Sequence, residues 1–361
     1  MRRAHRLLVA GLVTAVLGGA LTGAPLAAAD AGPVMTVRGS AGGTLPGQFG
    51  PMAGDPVRFT VDATAPFTDP LRPRGTFQVS HHKPDGSLLA RFSGEVTSLH
   101  AVGQVGILTG TVTWAEHPGA PQVEFVGKPV SLTVQDEGVR GDRIGWVWGF
   151  FGEPVSRLQG TAPVLRLSDG GFTVRGPVAP RAAGQVATGR VAGKSAAGPA
   201  AGELAAGQAA AGPSAAEVRA DAAGQVLAGH VTGTSEDPEF QGDPLSFTVA
   251  ARTAPGAAPG TATGEFHVVH EKAGGGLVAD FRGELTCLVV AGRIGFATGV
   301  VRASADPSHV GLEVSFSVYD GARGDRLGWL WGLPGSEPVN DCQGFTPFFT
   351  PERGGFFTRG M

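Results

Sequence analysis

Apolar and polar residues alternate in short runs that recur at intervals of about 10–15 residues, with Gly, Pro and Asp between them. In the first half of the chain the runs cover 57–62, 76–82, 88–97, 105–114, 123–134, 143–150 and 172–175. Each predicts a β-strand. In Phe77-Gln-Val79-Ser-His81 and Phe266-His-Val268-Val-His270 one face carries Phe, Val and His, because strand side chains alternate with period two. By the same rule Ile144, Trp146, Trp148 and Phe150 share a face. No window long enough for a helix has a 3.6-residue pattern beyond the N-terminal segment. Seven or eight consecutive strands without crossover helices predict an all-β domain, an antiparallel up-and-down barrel or a small sandwich. Glycines alternating with bulky residues along 143–150 favour the barrel, since glycine lets a strand bend sharply.

The pattern occurs twice. Gly75-Thr-Phe77-Gln-Val79-Ser-His81 aligns with Gly264-Glu-Phe266-His-Val268-Val-His270, and Phe92-Ser-Gly94-Glu95 with Phe281-Arg-Gly283-Glu284, both at an offset of 189 (264 − 75 and 283 − 94). Gly141-Asp142-Arg143-Ile-Gly145-Trp146-Val-Trp148 matches Gly324-Asp325-Arg326-Leu-Gly328-Trp329-Leu-Trp331 at an offset of 183 (324 − 141), so the second copy has shorter loops. Both copies continue to a Gln-Gly pair and a Gly-Gly-Phe. Two homologous domains are therefore predicted, over 33–176 and 222–361. Residues 177–221, dominated by Ala and Gly, read as a flexible linker. Within it, 182–195 echo 222–235, the expected first strand of the second domain, as a spare strand copy or a product of replication slippage.

Residues 1–29 read as a signal peptide. Arg2, Arg3 and Arg6 precede an apolar stretch that leads to Ala27-Ala28-Ala29, a small-residue cleavage site. Gly18, Gly19, Gly23 and Pro25 weaken the stretch as a membrane-spanning helix, so the mature chain is expected to be secreted without a span. Removing three Arg and no acid takes the formal net charge from −3 to −6. With only four Lys and no basic run, nucleic acid is excluded as a partner. Gly and Pro together approach a quarter of the chain, near the level of disordered segments, but 42% apolar residues and 20 Phe supply a core. Cys287 and Cys342 are the only cysteines, at the places of Ser98 and Leu158, and an even pair in an exported chain predicts a disulfide. It would stabilise the second domain by about 4 kcal/mol.

Gly283-Glu-Leu-Thr-Cys287-Leu-Val-Val-Ala-Gly292-Arg-Ile-Gly-Phe-Ala-Thr-Gly299, with Ser317-Val-Tyr-Asp320-Gly and Asp325-Arg326, resembles a β-rich repeat common in secreted actinobacterial proteins. The resemblance covers most of the second repeat, and the first follows it without the cysteine. It implies a β fold and export and brings no activity with it.

Several constellations invite a chemical reading. Trp146 and Trp148, with Trp329 and Trp331, form either a stacking platform for a ligand or core, and the all-apolar face they share favours core. His81 and His270 match on an apolar strand face, but without metal-site spacing they read as structural, hydrogen-bonded histidines. Glu95 with Glu284, Asp136 with Asp320, and Asp142 with Asp325 are matched carboxylates of the kind glycosidases use in pairs. Glu95 alternates toward solvent, however, and the Asp residues flank a turn, where Asp ordinarily supports the backbone. Arg140-Gly-Asp142 and Arg323-Gly-Asp325 spell an integrin tripeptide that reads equally as a Gly-Asp turn. No nucleophile elbow, phosphate loop or dinucleotide fingerprint occurs, so neither a metal nor a cofactor is implied.

These readings converge on an exported, non-enzymatic binding or surface-associated structural protein, monomeric or weakly oligomeric, with an extracellular or envelope partner. Tandem copies on a tether suit avidity. Two alternatives stand beside it: a carrier holding a small apolar ligand inside each barrel near the Trp pairs, and a hydrolase built on the matched carboxylates. A cavity in each barrel would favour the carrier, and converging carboxylates in a cleft would favour the enzyme.

Overall fold

The computed structural model describes residues 32–178, 224–322, 324–333 and 336–361. The expected signal peptide, the expected spare strand copy and nearly all of the expected linker lie outside them. Each repeat forms one curled antiparallel sheet, a half-barrel. The first contains β1 (Val34–Thr44), β2 (Pro56–Pro66), β3 (Arg74–His82), β4 (Leu88–Val102), β5 (Val105–Glu116), β6 (Pro129–Gln135), β7 (Arg143–Trp148), β8 (Leu165–Arg166) and β9 (Asp169–Arg175). The second contains β10 (Val226–Thr234), β11 (Pro244–Arg252), β12 (Thr263–Glu271), β13 (Leu277–Ala291), β14 (Ile294–Ser304), β15 (Glu313–Tyr319), β16 (Arg326–Trp331) and β17 (Arg353–Arg359). Both are meanders in which the last strand, β9 or β17, returns to pair with the first, β1 or β10.

Two expected strands are shorter than the alternation suggested. Residues 123–128 form turns in which Phe125 is buried, and β6 begins only at Pro129. Gly127 takes a left-handed φ of 79° there, and its N–H donates to the Val112 carbonyl. Phe150 belongs to a single helical turn, Gly149–Phe151, rather than to β7.

The curl has a local cause. The Phe77 ring lies flat against the strand backbone, where a side chain on Gly94 or Gly110 would come within 2.6 Å of it. Phe266 occupies the same place over Gly283. Ring into glycine gap bends the long strands β4 and β13 over the core, aided by bulges at Ser93/Gly94 and Arg282/Gly283. A second bulge at Val96/Ser98, matched at Leu285/Cys287, switches faces, so Val96 and Leu99 both reach the core while Ser98 points outward. Inside the first barrel Phe59, Phe77, Leu99, Leu108, Leu132 and Ile144 are at most 1% exposed. Each such side chain contributes roughly 1.5–3 kcal/mol.

The outward faces of the two sheets meet. Val105, Ile107 and Ala162 of the first repeat cluster with Val289, Ile294, Phe296 and the cysteines of the second. Between the sheets, Gly160 and Gly344 exchange both backbone hydrogen bonds at 2.9 Å. Gln159 Nε2 donates to the Pro338 carbonyl at 2.7 Å, and Gln343 Nε2 donates to the Pro154 carbonyl at 2.9 Å. Since 343 − 159, 344 − 160 and 338 − 154 are all 184, equivalent residues of the two repeats meet one another. The repeats are related by a pseudo-two-fold axis, the isologous geometry of a symmetric dimer built within one chain.

Cys287 and Cys342 are bridged, with Cα atoms 5.4 Å apart. At the corresponding place in the first repeat the Leu158 N–H donates to Ser98 Oγ at 3.1 Å, so a hydrogen bond occupies the gap that the disulfide closes in the second. Leu158 and Cys342 share a left-handed backbone (φ 64° and 54°). Because the cysteines belong to the shared cluster, the bridge should stabilise both repeats. Replacing both by Ser should cost about 4 kcal/mol and lower one common unfolding midpoint in calorimetry of the full chain. Two separate transitions, of which only one moves, would mean that the repeats unfold independently.

Candidate functional site

Three groups of side chains that the sequence singled out lie in three different environments. The tryptophans line the inner faces of β7 and β16 near one end of each barrel. Trp146 is packed between Phe49 and Phe59, with ring centroids 5.5 and 5.2 Å away, and stacks on Trp148 at 5.9 Å. Trp148 meets Phe92 edge-on at 5.3 Å and stacks on Phe150 at 5.4 Å. Trp329 stacks on Phe247 at 4.8 Å and meets Phe349 edge-on, while Trp331 meets Phe281 and Phe316 edge-on. All four are half-buried and packed against the cores. Protein rings already pack against these indoles. What emerges at the surface is Phe151, 63% exposed, beside Phe150.

His81 and His270 are the penultimate residues of β3 and β12, and each ring is tied to a carboxylate. His81 Nε2 lies 2.7 Å from Asp55 Oδ2, and His270 Nε2 lies 2.9 Å from Asp243 Oδ2. Asp243 is also held by the Ala273 N–H, the main reason its carboxyl lies below the ordinary value near 3.8, with His270 adding to the effect. These pairs pin the loops before β2 and β11 to the following hairpins. Among the described residues no group of three or more His, Cys, Asp or Glu side chains is placed to hold a metal ion.

The matched carboxylates do not converge. Glu95 and Glu284 are exposed on outer strand faces, and Glu284 pairs with Arg302 at 3.1 Å. Asp142 is 6% exposed, and both its oxygens accept backbone N–H groups, from Phe172 at 2.5 Å and Glu137 at 3.0 Å. Asp136 accepts from Val174 at 3.2 Å. In the second repeat Asp325 accepts from Phe356 and Gly321, and Asp320 from Thr358. The β6–β7 and β15–β16 turns thereby grip β9 and β17 from the side opposite β1 and β10. The aspartates support more than their own turn: they tie the last strand of each curled sheet to it. With its aspartate taken up in this way, the Arg140-Gly-Asp142 tripeptide offers no free carboxylate to a receptor, while Arg323 lies outside the described residues.

One titratable residue of the interface gave no signal in the sequence. His100, on the outer face of β4, hydrogen-bonds Thr346 of the second repeat through Nδ1 and stacks near Phe67. Burial alone pushes its pKa down from 6.5 to about 4. Its counterpart is Val289 (289 − 100 is 189), which is why the duplication did not flag it. Comparison of the chain with family models, with curated proteins and with solved structures gives no match.

Three outcomes follow from this geometry. Asp142→Ala or Asp325→Ala leaves buried amides without partners and should destabilise the chain by about 2–4 kcal/mol in urea titration, with loss of hydrogen-exchange protection at Phe172 or Phe356. Glu95→Ala should stay within about 0.5 kcal/mol of the parent. His100 is neutral when folded and gains a proton first when unfolded, so its contribution is fully present above pH 6.5 and is lost as the pH falls toward 4. The loss amounts to about 3 kcal/mol over that window. His100→Gln should flatten the stability profile there and leave the carboxylate-dependent fall below pH 4 in place.

Proposed function

We propose that the chain is an exported, non-enzymatic binding or surface-associated structural protein whose contacts are made on the outside of a fused barrel pair. The signal-like residues 1–29 and the disulfide support export. No helix among the described residues is long and apolar enough to cross a membrane. The observation that carries the reading is the filling of the barrels. Phe59 and Phe77 in the first, and Phe247, Phe266 and Phe316 in the second, are at most 2% exposed and occupy the space a carried ligand would need. The carboxylates that a hydrolase would use are either exposed and apart or taken up by backbone amides. The packed interface changes how two copies assist binding. Two similar outer surfaces held in fixed orientation lose less entropy on a repeating partner than two domains on a loose tether.

Native mass spectrometry of the chain secreted by its own cell, combined with sedimentation against the cell envelope, tests this. The expected result is the mass of the polypeptide alone and retention on the envelope or on a component of the medium. One apolar molecule per barrel would establish the carrier instead, and failure to associate with any fraction would overturn the binding role.

A further inference from the structure

A cleft of about 660 Å³ opens on the pseudo-two-fold axis, where the β4–β5 hairpin of the first repeat and the β13–β14 hairpin of the second come together. Three guanidinium groups line it: Arg140 from the β6–β7 turn, Arg293 from the β13–β14 turn and Arg326 from the start of β16. Arg326 is the unusual one. It is 6% exposed, its plane lies 4.5 Å above the Tyr319 ring, and its Nε has no hydrogen-bond partner. No carboxylate among the described residues pairs with it. The Thr350 hydroxyl, also on the wall, is likewise buried without a partner. A buried cation left unpaired is costly, and natural proteins place one where an anion meets it.

The two repeats differ at this site. Arg143, the counterpart of Arg326, has the charge of Glu137 acting in its favour. The equivalent turn of the second repeat is one residue shorter and places Gly321 and Ala322 between Asp320 and the Arg323-Gly-Asp325 triplet, with no carboxylate. At the neighbouring position Gln104 of the first repeat is replaced by Arg293 (293 − 104 is 189). At this one spot on the axis the second repeat thus has an acid fewer and a base more than the first. Among the described residues Glu137 is the only acid on the wall, and its Oε1 is engaged by Gln135 Nε2 at 2.9 Å.

From this geometry we infer that the axial cleft is a binding site for an organic polyanion bearing phosphate or carboxylate groups, with Arg326 and Arg293 as its principal ligands. Guanidinium forks match both oxyanions in geometry. A cleft of this size exceeds a single inorganic ion and falls in the range of small-molecule sites. The inference goes beyond the function proposed above and does not depend on it, since the charge and burial are those of the cleft whatever the outer surfaces bind.

Calorimetric titration of the full chain with citrate, inositol hexakisphosphate, inorganic phosphate and neutral inositol tests it. One molecule of citrate or of the hexakisphosphate should bind per chain, with affinity falling as salt rises from about 50 to 300 mM. The tighter of the two identifies the preferred oxyanion, inorganic phosphate should bind more weakly, and inositol should not bind. Arg293→Gln, which restores the side chain of the first repeat, should weaken binding about tenfold, a change of about 1.4 kcal/mol. Arg326→Met, which keeps the apolar stem over Tyr319, should weaken it at least as much. Arg302→Met on the outer face should leave it unchanged. Arg293 sits in a turn and is half-buried, so that variant keeps the test valid even if Arg326→Met fails to fold. Absence of polyanion binding below about 1 mM, or binding indifferent to Arg293→Gln, would overturn the assignment.

Discussion

The barrels depend on a single kind of bond, a buried or half-buried aspartate accepting a backbone N–H from a strand that no sheet neighbour covers. A curled sheet of antiparallel strands has two edges, and an edge strand exposes a row of donors and acceptors that invites pairing with other chains. In each repeat the last strand pairs with the first on one side only. On its other side Asp142 and Asp136, or Asp325 and Asp320, stand in for the carbonyls of a missing neighbour. Charge-assisted bonds of this kind are about twice as strong as neutral ones, so two side chains hold what a strand would otherwise hold. The core that this seam borders runs from the buried Phe77 and Phe266 rings to the half-buried tryptophan pairs.

The contact between the repeats obeys different physics. Its centre is apolar, but it also buries Ser98, Thr109, Ser131 and Thr133 of the first sheet and Ser315 and Ser317 of the second. Most of these hydroxyls find partners: Ser131 donates to the Gln159 carbonyl at 2.6 Å and Ser315 to the Gln343 carbonyl at 2.5 Å. Thr133 and Ser317, equivalent positions, are left without one. An interface of this composition gains modest stability from burial and much of its register from directed hydrogen bonds, since any slip would strand further buried polar groups.

The sequence made the fold largely legible because duplication turned single observations into paired ones. Gly-Asp-Arg with alternating tryptophans recurred, and the curled sheets, the first strands and the facing of Ser98 and Leu158 followed from such matches. The run 123–134 misled because Phe125, buried from a turn, preserves the alternation of a strand. The seam was invisible for a chemical reason: the partners of Asp142 and Asp325 are backbone amides about 30 residues onward, and an amide carries no side-chain signature. The interface was hidden by the alternation itself, which assigns Ser131, Thr133 and His100 to a solvent face. Arg293 and Arg326 could be found only by asking where the two copies differ, and what that difference meant required knowing that both positions lie on one axis.

The meeting of Gly160 with Gly344 carries a consequence for how such a chain arose. Because the contact joins equivalent residues, a single ancestral repeat could have met a second molecule of itself through the same surface, as a homodimer. Joining two copies in one gene made that encounter intramolecular, raising the effective concentration of one partner around the other to the millimolar range without a new contact. It also released the two halves from identical sequence. In a single chain a substitution on the axis appears once rather than twice, so one half can hold Gln104 where the other holds Arg293, and a symmetric interface can have a direction.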